Sequence, residues 1–338
     1  MGSGGDYTSY RESFSRTKST VSGSAEEKAK GTHERTERIN RDKETTGEKK
    51  EEKARTEKVD STKVRLGITK PSPTAKRVHI FMVDNSGSNS VIAEGLRKSS
   101  GYLSAVHGVI DPDSDFATIF FSDHCDGSRI MQEVDYVSPT PEGDLILLST
   151  ISKVAKAGGG DAPEAIECAM KRACELDFGD ALSKHLYLVS DEVAHGMGER
   201  GDDGCPFQVS WIDELEKVNK VYDTFEVIGC GDVARVAELQ KQFLSPERLA
   251  YDFIDLSKIE KPEHRLGITA NAMLFLVARK QGIQMVEVFL AGLYEKWLAS
   301  PVFGTQTEAK AKEQIRRFGK YIEAPEEEIE AMMQRVLV

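Results

Sequence analysis

The sequence predicts an α/β protein: a doubly wound, mostly parallel sheet with one antiparallel edge strand, a helical C-terminal extension and a charged N-terminal tail. Three observations lead there. Short β-rich apolar runs alternate with helical periodicity between residues 78 and 256. Several of those runs are apolar throughout, as strands covered on both faces are. Beyond His264 the periodicity is helical only.

The elements follow in order. Residues 1–77 hold 19 basic and 13 acidic side chains, a net charge of +6, while the remainder carries −17. The first segment is too poor in apolar residues to offset its chain entropy, so 1–75 is expected to be a disordered, solvated tail. Within it, Glu48–Lys58 can form a transient helix through Glu–Lys pairs. As a basic arm it would suit an acidic partner. Val78–Val83 reads as a buried strand, and Ser90 to Ile110 as a helix with Val91, Leu96, Leu103 and Val106 at helical spacing. Ala117–Phe121 is the next strand. Arg129–Val137 alternates and reads as the edge strand. Leu145–Ala157 and Pro163–Leu176 are amphipathic helices, the second with proline in its first turn. His185–Ser190, Phe225–Cys230 and Tyr251–Leu256 are strands, separated by helices at Val209–Tyr222 and Val233–Phe243. The domain so defined is 76–260. In the extension, 261–338, three apolar stripes repeat: Leu266, Ala270, Met273, Val277; then Ile283, Val286, Leu290, Leu293, Trp297; then Ala311, Ile315, Phe318, Ile322. A fourth helix begins near Pro325, with Glu326, Glu327 and Glu328 where the helix dipole favours anions.

Composition excludes several roles. An acidic globular part lacks the positive face that phosphate contacts need, so nucleic acid is not an expected partner. The longest apolar runs, such as Ala272–Ala278, fall far short of the roughly 20 residues a bilayer requires, so no membrane association is expected. Met1–Tyr10 lacks the apolar core of a secretory signal, and a cytoplasmic location is expected. The five cysteines form no CxxC pair; they read as reduced thiols, with Cys168 and Cys174 as small buried hydrophobes, rather than as a disulfide framework or a zinc site.

In a doubly wound sheet, ligands sit beyond the carboxyl ends of the strands. The first strand runs into Asp84-Asn85-Ser86-Gly87-Ser88, where a carboxylate and two hydroxyls alternate and can converge. Gly158-Gly159-Gly160-Asp161-Ala162-Pro163-Glu164 offers a permissive backbone followed by carboxylates. The strand ending at Ser190 runs into Asp191. These are hard oxygen donors, which select Mg²⁺, Mn²⁺ or Ca²⁺ over zinc or copper. Mg²⁺ tolerates so small a ligand set because it keeps its waters.

These segments resemble the metal-ion-dependent adhesion site of von Willebrand factor type A (VWA) domains, which are Rossmann-like. Asp84-x-Ser86-x-Ser88 is similar to the family's first loop. Gly158–Glu164 resembles its GGGDxPEA loop and that of integrin β I-like domains. Leu186–Gly196 and Phe225–Gly231 resemble its next strands, so the likeness covers about 78–256. It implies that Asp84, Ser86 and Ser88 hold an ion directly or through water, and Asp191 through water. Many VWA domains place a threonine in the middle loop. Here Asp161 stands at that spacing and is favoured slightly, while Glu164 matches the integrin β type. The resemblance further implies a protein-interaction module whose ion is completed by a partner's Asp or Glu. By analogy with intracellular VWA proteins, the partner is an AAA+ ATPase or a multiprotein assembly.

Each assignment has a plainer competitor. Asp84 and Asp161 can act as helix caps, and His195 can simply pack in its loop. Asp123, Asp126, Asp202 and Asp203 read as solvated turn residues. An alternative function is a Mg²⁺-dependent phosphohydrolase with Asp84 as nucleophile. Haloacid-dehalogenase-type phosphatases, which carry such a nucleophile after the first strand, need a second Asp two residues on, where this chain has Ser86, and no Walker-type lysine follows the glycines. No catalytic residues are therefore expected. A third reading is a scaffold with a vestigial metal site.

Overall fold

The structure is a computed structural model that describes residues 68–158, 160, 163–196, 202, 204–244, 252–259, 262–299, 308–322 and 324–336. Six strands form one sheet: β1 (Arg77–Asp84), β2 (Ser114–Phe121), β3 (Met131–Val137), β4 (Ser183–Ser190), β5 (Thr224–Gly229) and β6 (Asp252–Asp255). Their spatial order is β3-β2-β1-β4-β5-β6. All neighbouring pairs are parallel except β2 with β3, so the predicted antiparallel edge is present. The register is continuous at the centre, with Val83 opposite both Phe120 and Val189.

Period-two alternation explains why the central strands are apolar throughout. Ile80 and Met82 of β1 face one hydrophobic cluster and Phe81 and Val83 the other. The first cluster is closed by α4 (Ile166–Cys174), α5 (Trp211–Val221) and α6 (Val233–Phe243). The second is closed by α1 (Ser90–Lys98), α2 (Ser100–Ile110) and α3 (Pro141–Ile151), together with α7 (Pro262–Lys280), α8 (Ile283–Ala299), α9 (Glu308–Tyr321) and α10 (Glu326–Val336). Of the predicted C-terminal stripes, Ala270, Met273, Val277, Val286, Leu290, Leu293, Ile315, Phe318 and Ile322 reach the same core as the sheet, whereas Ile283, at the start of α8, is 49% exposed. Leu274, Phe289, Leu293, Ile315 and Phe318 are all buried there. At roughly 1.5–3 kcal/mol for each fully buried large apolar side chain, this extension is integral to the fold.

Several boundaries differ from the sequence expectation. The helix expected over 90–110 is two helices, α1 and α2, meeting at Ser99. Helix α3 begins at Pro141, earlier than Leu145, because Thr140 caps it: its Oγ1 accepts the Gly143 N–H at 3.1 Å. Helix α4 begins at Ile166 rather than Pro163, because the Glu164 N–H donates to the Val193 carbonyl at 2.9 Å, a bridge that holds residue 164 out of the helix. Of the charged tail expected over 1–75, residues 1–67, including Glu48–Lys58, lie outside the described residues. Residues 68–72 lie against β3 and β2. Ile68 is buried and its N–H donates to Glu133 at 2.8 Å, while the Thr69 N–H donates to Asp135 at 2.7 Å.

Candidate functional site

Strand order reverses between β1 and β4, and open α/β sheets leave a crevice at the carboxyl ends of such strands. The predicted oxygens gather there. Asp84 closes β1 and is fully buried; its Oδ1 accepts the Ser86 N–H at 2.8 Å, which folds the chain back so that Ser86 and Ser88 lie on the same side. Their hydroxyl oxygens are 3.1 Å apart, and Ser88 Oγ donates to Asp191 Oδ1 at 3.3 Å. Asp84, Ser86, Ser88 and Asp191 thus form one contiguous group across two strands. Asp84 does not cap a helix: α1 is preceded by Asn89, whose side-chain amide instead donates to the Asp84 carbonyl at 2.9 Å.

Glu164 completes the group. It is buried, and the Ser86 hydroxyl and the Asp84 and Asp191 carboxylates all act on it. Burial, followed by the nearby Asp84 charge, pushes its carboxyl up to about 10. Burial and the neighbouring Asp191 likewise hold the Asp84 carboxyl well above the usual carboxylate range. Glu164 Oε2 is buried without a hydrogen-bond partner. Asp161 lies outside the described residues.

The loops are held close by small residues and by carboxylates. The Gly87 N–H donates to the Gly158 carbonyl at 2.9 Å, and a Cβ on Gly87 would sit 2.4 Å from that oxygen. A Cβ on Gly231 would sit 2.7 Å from the Asp191 carbonyl, so glycine there admits the Asp191 loop. Asp123 and Asp126 are not solvated turn residues. Asp123 accepts the Gly160 N–H at 2.7 Å and Asp126 the Gly158 N–H at 2.9 Å, which pins the glycine loop from the 3₁₀ turn at His124–Arg129. Asp202 accepts the Gly196 N–H at 2.6 Å, and Asp203 lies outside the described residues. Sequence reasoning did not single out Ser190, whose hydroxyl donates to Asp84 Oδ2 at 3.1 Å. Its place at the last position of β4, next to Asp191, was the available signal.

No family model matches this chain. No curated protein matches it either. Among solved structures, it is similar to two of the pilus adhesin SpaC from Lactobacillus rhamnosus GG. One is 12% identical with a TM-score of 0.43, over 62% of this chain and 32% of that one. The other, described as an open conformation, is 13% identical with a TM-score of 0.44, over 63% and 31%. The chain spans about a third of the length of these adhesins.

Among the described residues three further groups of polar side chains come together, one of them, Asp123, His124 and His195, sharing His124 with another. His79, His107 and Asp111 cluster at the opposite end of the sheet. Their bonds are made within the fold: His79 reaches Asp111 at 2.9 Å and Tyr187 Oη at 3.0 Å, and His107 reaches Ser114 Oγ at 2.6 Å. Beside the crest, His124, Glu167, Cys168 and Cys205 come together. Cys168, expected to be a small buried hydrophobe, is buried, and its Sγ lies 3.3 Å from His124 Nε2 and 3.5 Å from Cys205 Sγ.

Proposed function

We propose that this chain is a VWA-type, Rossmann-like protein-interaction module whose crest holds a divalent cation. The observation that carries the reading is the convergence of Asp84, Ser86, Ser88, Asp191 and Glu164, with a buried Glu164 oxygen that has no hydrogen-bond partner. The residues fit such an ion. The donors are all hard oxygens, and the influences that raise the Asp84 and Glu164 carboxyls are burial and other carboxylates. A cation relieves that crowding, and hard oxygen sets suit Mg²⁺, Mn²⁺ or Ca²⁺.

Asp84, Ser86, Ser88 and Glu164 would hold the ion, with Asp191 acting through water. When bound, the cation supplies an electrophile for a carboxylate from outside. Ser88 is exposed on the rim, so the approach is open from solvent. The partner chemistry is therefore an Asp or Glu side chain of another protein, and an adaptor role toward an AAA+ ATPase or a larger assembly belongs to the same proposal. Ser86 stands where a phosphohydrolase would need its acid/base Asp, which favours binding over catalysis.

The test is thermal melting with and without Mg²⁺ or Mn²⁺, followed by capture of an acidic peptide array. The cation should raise the melting temperature by several degrees, and Asp84→Ala should erase that rise and the capture together. A melting curve indifferent to both cation and chelator would leave only a scaffold. Turnover of generic phosphate esters that is lost in Asp84→Asn would establish the hydrolase instead.

A further inference from the structure

We propose that His124, Glu167, Cys168 and Cys205 form a second metal centre, a tetrahedral zinc site that ties three loops together beneath the crest. The four donor atoms are His124 Nε2, Glu167 Oε1, Cys168 Sγ and Cys205 Sγ, all within 4.8 Å of one another. Their separations are those of ligands around one ion. His124 Nε2 lies 3.3 Å from Cys168 Sγ, 3.4 Å from Cys205 Sγ and 3.2 Å from Glu167 Oε1, and the two sulfurs are 3.5 Å apart. Zinc bonds of about 2.0–2.3 Å arranged tetrahedrally place neighbouring ligand atoms about 3.3–3.8 Å apart.

His124 Nε2 and both sulfurs lie within hydrogen-bond range of one another. His124 Nε2 and Glu167 Oε1 are in range, yet Oε1 makes no hydrogen bond. Two cysteines, a histidine and a carboxylate form a borderline-soft set that selects zinc over the hard ions of the crest. The four side chains are buried or half-buried, as in closed structural sites. Glu167 is held from its other oxygen. The His195 N–H donates to Glu167 Oε2 at 3.2 Å, and the His195 ring stands edge-on to His124 with centroids 4.4 Å apart.

The zinc would join the 3₁₀ turn after β2, the first turn of α4 and the loop before α5. Chain separations of 44, 37 and 81 residues among His124, Cys168 and Cys205 make this a long-range staple. It also touches the crest indirectly: His195 Nδ1 lies 3.2 Å from the Glu164 carbonyl oxygen. The zinc centre is independent of the proposed function, because it shares no ligand with the crest.

Metal content and Co²⁺ spectroscopy on the full chain test it. The purified protein should retain one zinc ion per chain after gel filtration. Cys205→Ser and Cys168→Ser should lose it, whereas Cys174→Ser and Asp84→Ala should keep it. Because a variant can misfold, Co²⁺ substitution of the wild type provides a second readout: intense visible bands with thiolate charge transfer mark a tetrahedral site containing cysteine sulfur. Weak octahedral bands alone, without the intense set, would overturn the proposal. So would a zinc-free protein, or a mass two hydrogens short that reports a Cys168–Cys205 disulfide.

Discussion

At the scale of single residues, the crest is a concentration of carboxyl groups inside a fold, and that makes Glu164 informative. Its carboxyl, at about 10, is protonated at neutral pH when no cation is near, whereas the unfolded chain would ionise it. Glu164→Gln keeps the shape and removes that conflict. The variant should be more stable than wild type without metal, by about 1–3 kcal/mol, and should gain less from Mg²⁺. Urea unfolding at fixed pH with and without the cation measures both; equal metal responses would remove Glu164 from the ligand set. Asp84, Ser86, Ser88 and Asp191 were readable as a group because three of them alternate in one loop and the fourth ends a strand. Cys168 and Cys205 were not, because no local spacing marks a site whose ligands lie dozens of residues apart and meet only once the sheet has formed.

At the scale of elements, strands were legible from apolar runs, and helix ends were legible wherever a cap stood in the sequence. Thr140-Pro141 carried such a signal ahead of α3. The start of α4 carried none, because a tertiary bridge from Glu164 to Val193 sets it. The break at Ser99 was passed over because apolar spacing runs through it, although Ser100-Gly101 directly follows. The strand beginnings hold a different kind of information. His79 on β1, His107 on α2 and His185 on β4 are buried side by side, and burial drives all three below the ordinary histidine value, His107 and His185 to about 3. The unfolded chain accepts these protons near pH 6.5, but the folded one refuses them. Stability from this group is therefore complete above pH 6.5 and falls as the pH drops, by up to about 1.4 kcal/mol per pH unit for each histidine, and the loss from His107 and His185 levels near pH 3. His107→Gln should flatten the decline between pH 6 and 4, measured by urea midpoints. An unchanged slope would show that His107 takes up its proton without cost.

At the scale of the whole molecule, the helices after residue 262 are part of the same interior as the sheet. The stripe of Val286, Leu290 and Leu293 showed that a face had to be buried, but not against what. The structure answers with the α1–α2 side of the sheet. A buried ion pair adds to that seam: Lys280, in the last turn of α7, meets Glu226 of β5, which is 0% exposed. Lys280→Ala takes that cation from a carboxylate enclosed by protein, and should cost about 3 kcal/mol. Glu226→Gln combined with Lys280→Ala should recover part of the loss in the same urea titration. A single-variant cost near zero would mean that the carboxylate is already neutral.

The short strap at 68–72 has a consequence for how copies of the chain behave toward each other. An outermost strand with bare amides and carbonyls is a template on which another polypeptide can stack. Here β3 is that strand, and its Glu133 and Asp135 side chains grip the strap's own backbone while Pro71 and Pro73 deny the strap a regular ladder of its own. The β3 border thus carries charged side chains with a proline-bearing segment held across them, both of which discourage another chain from adding there.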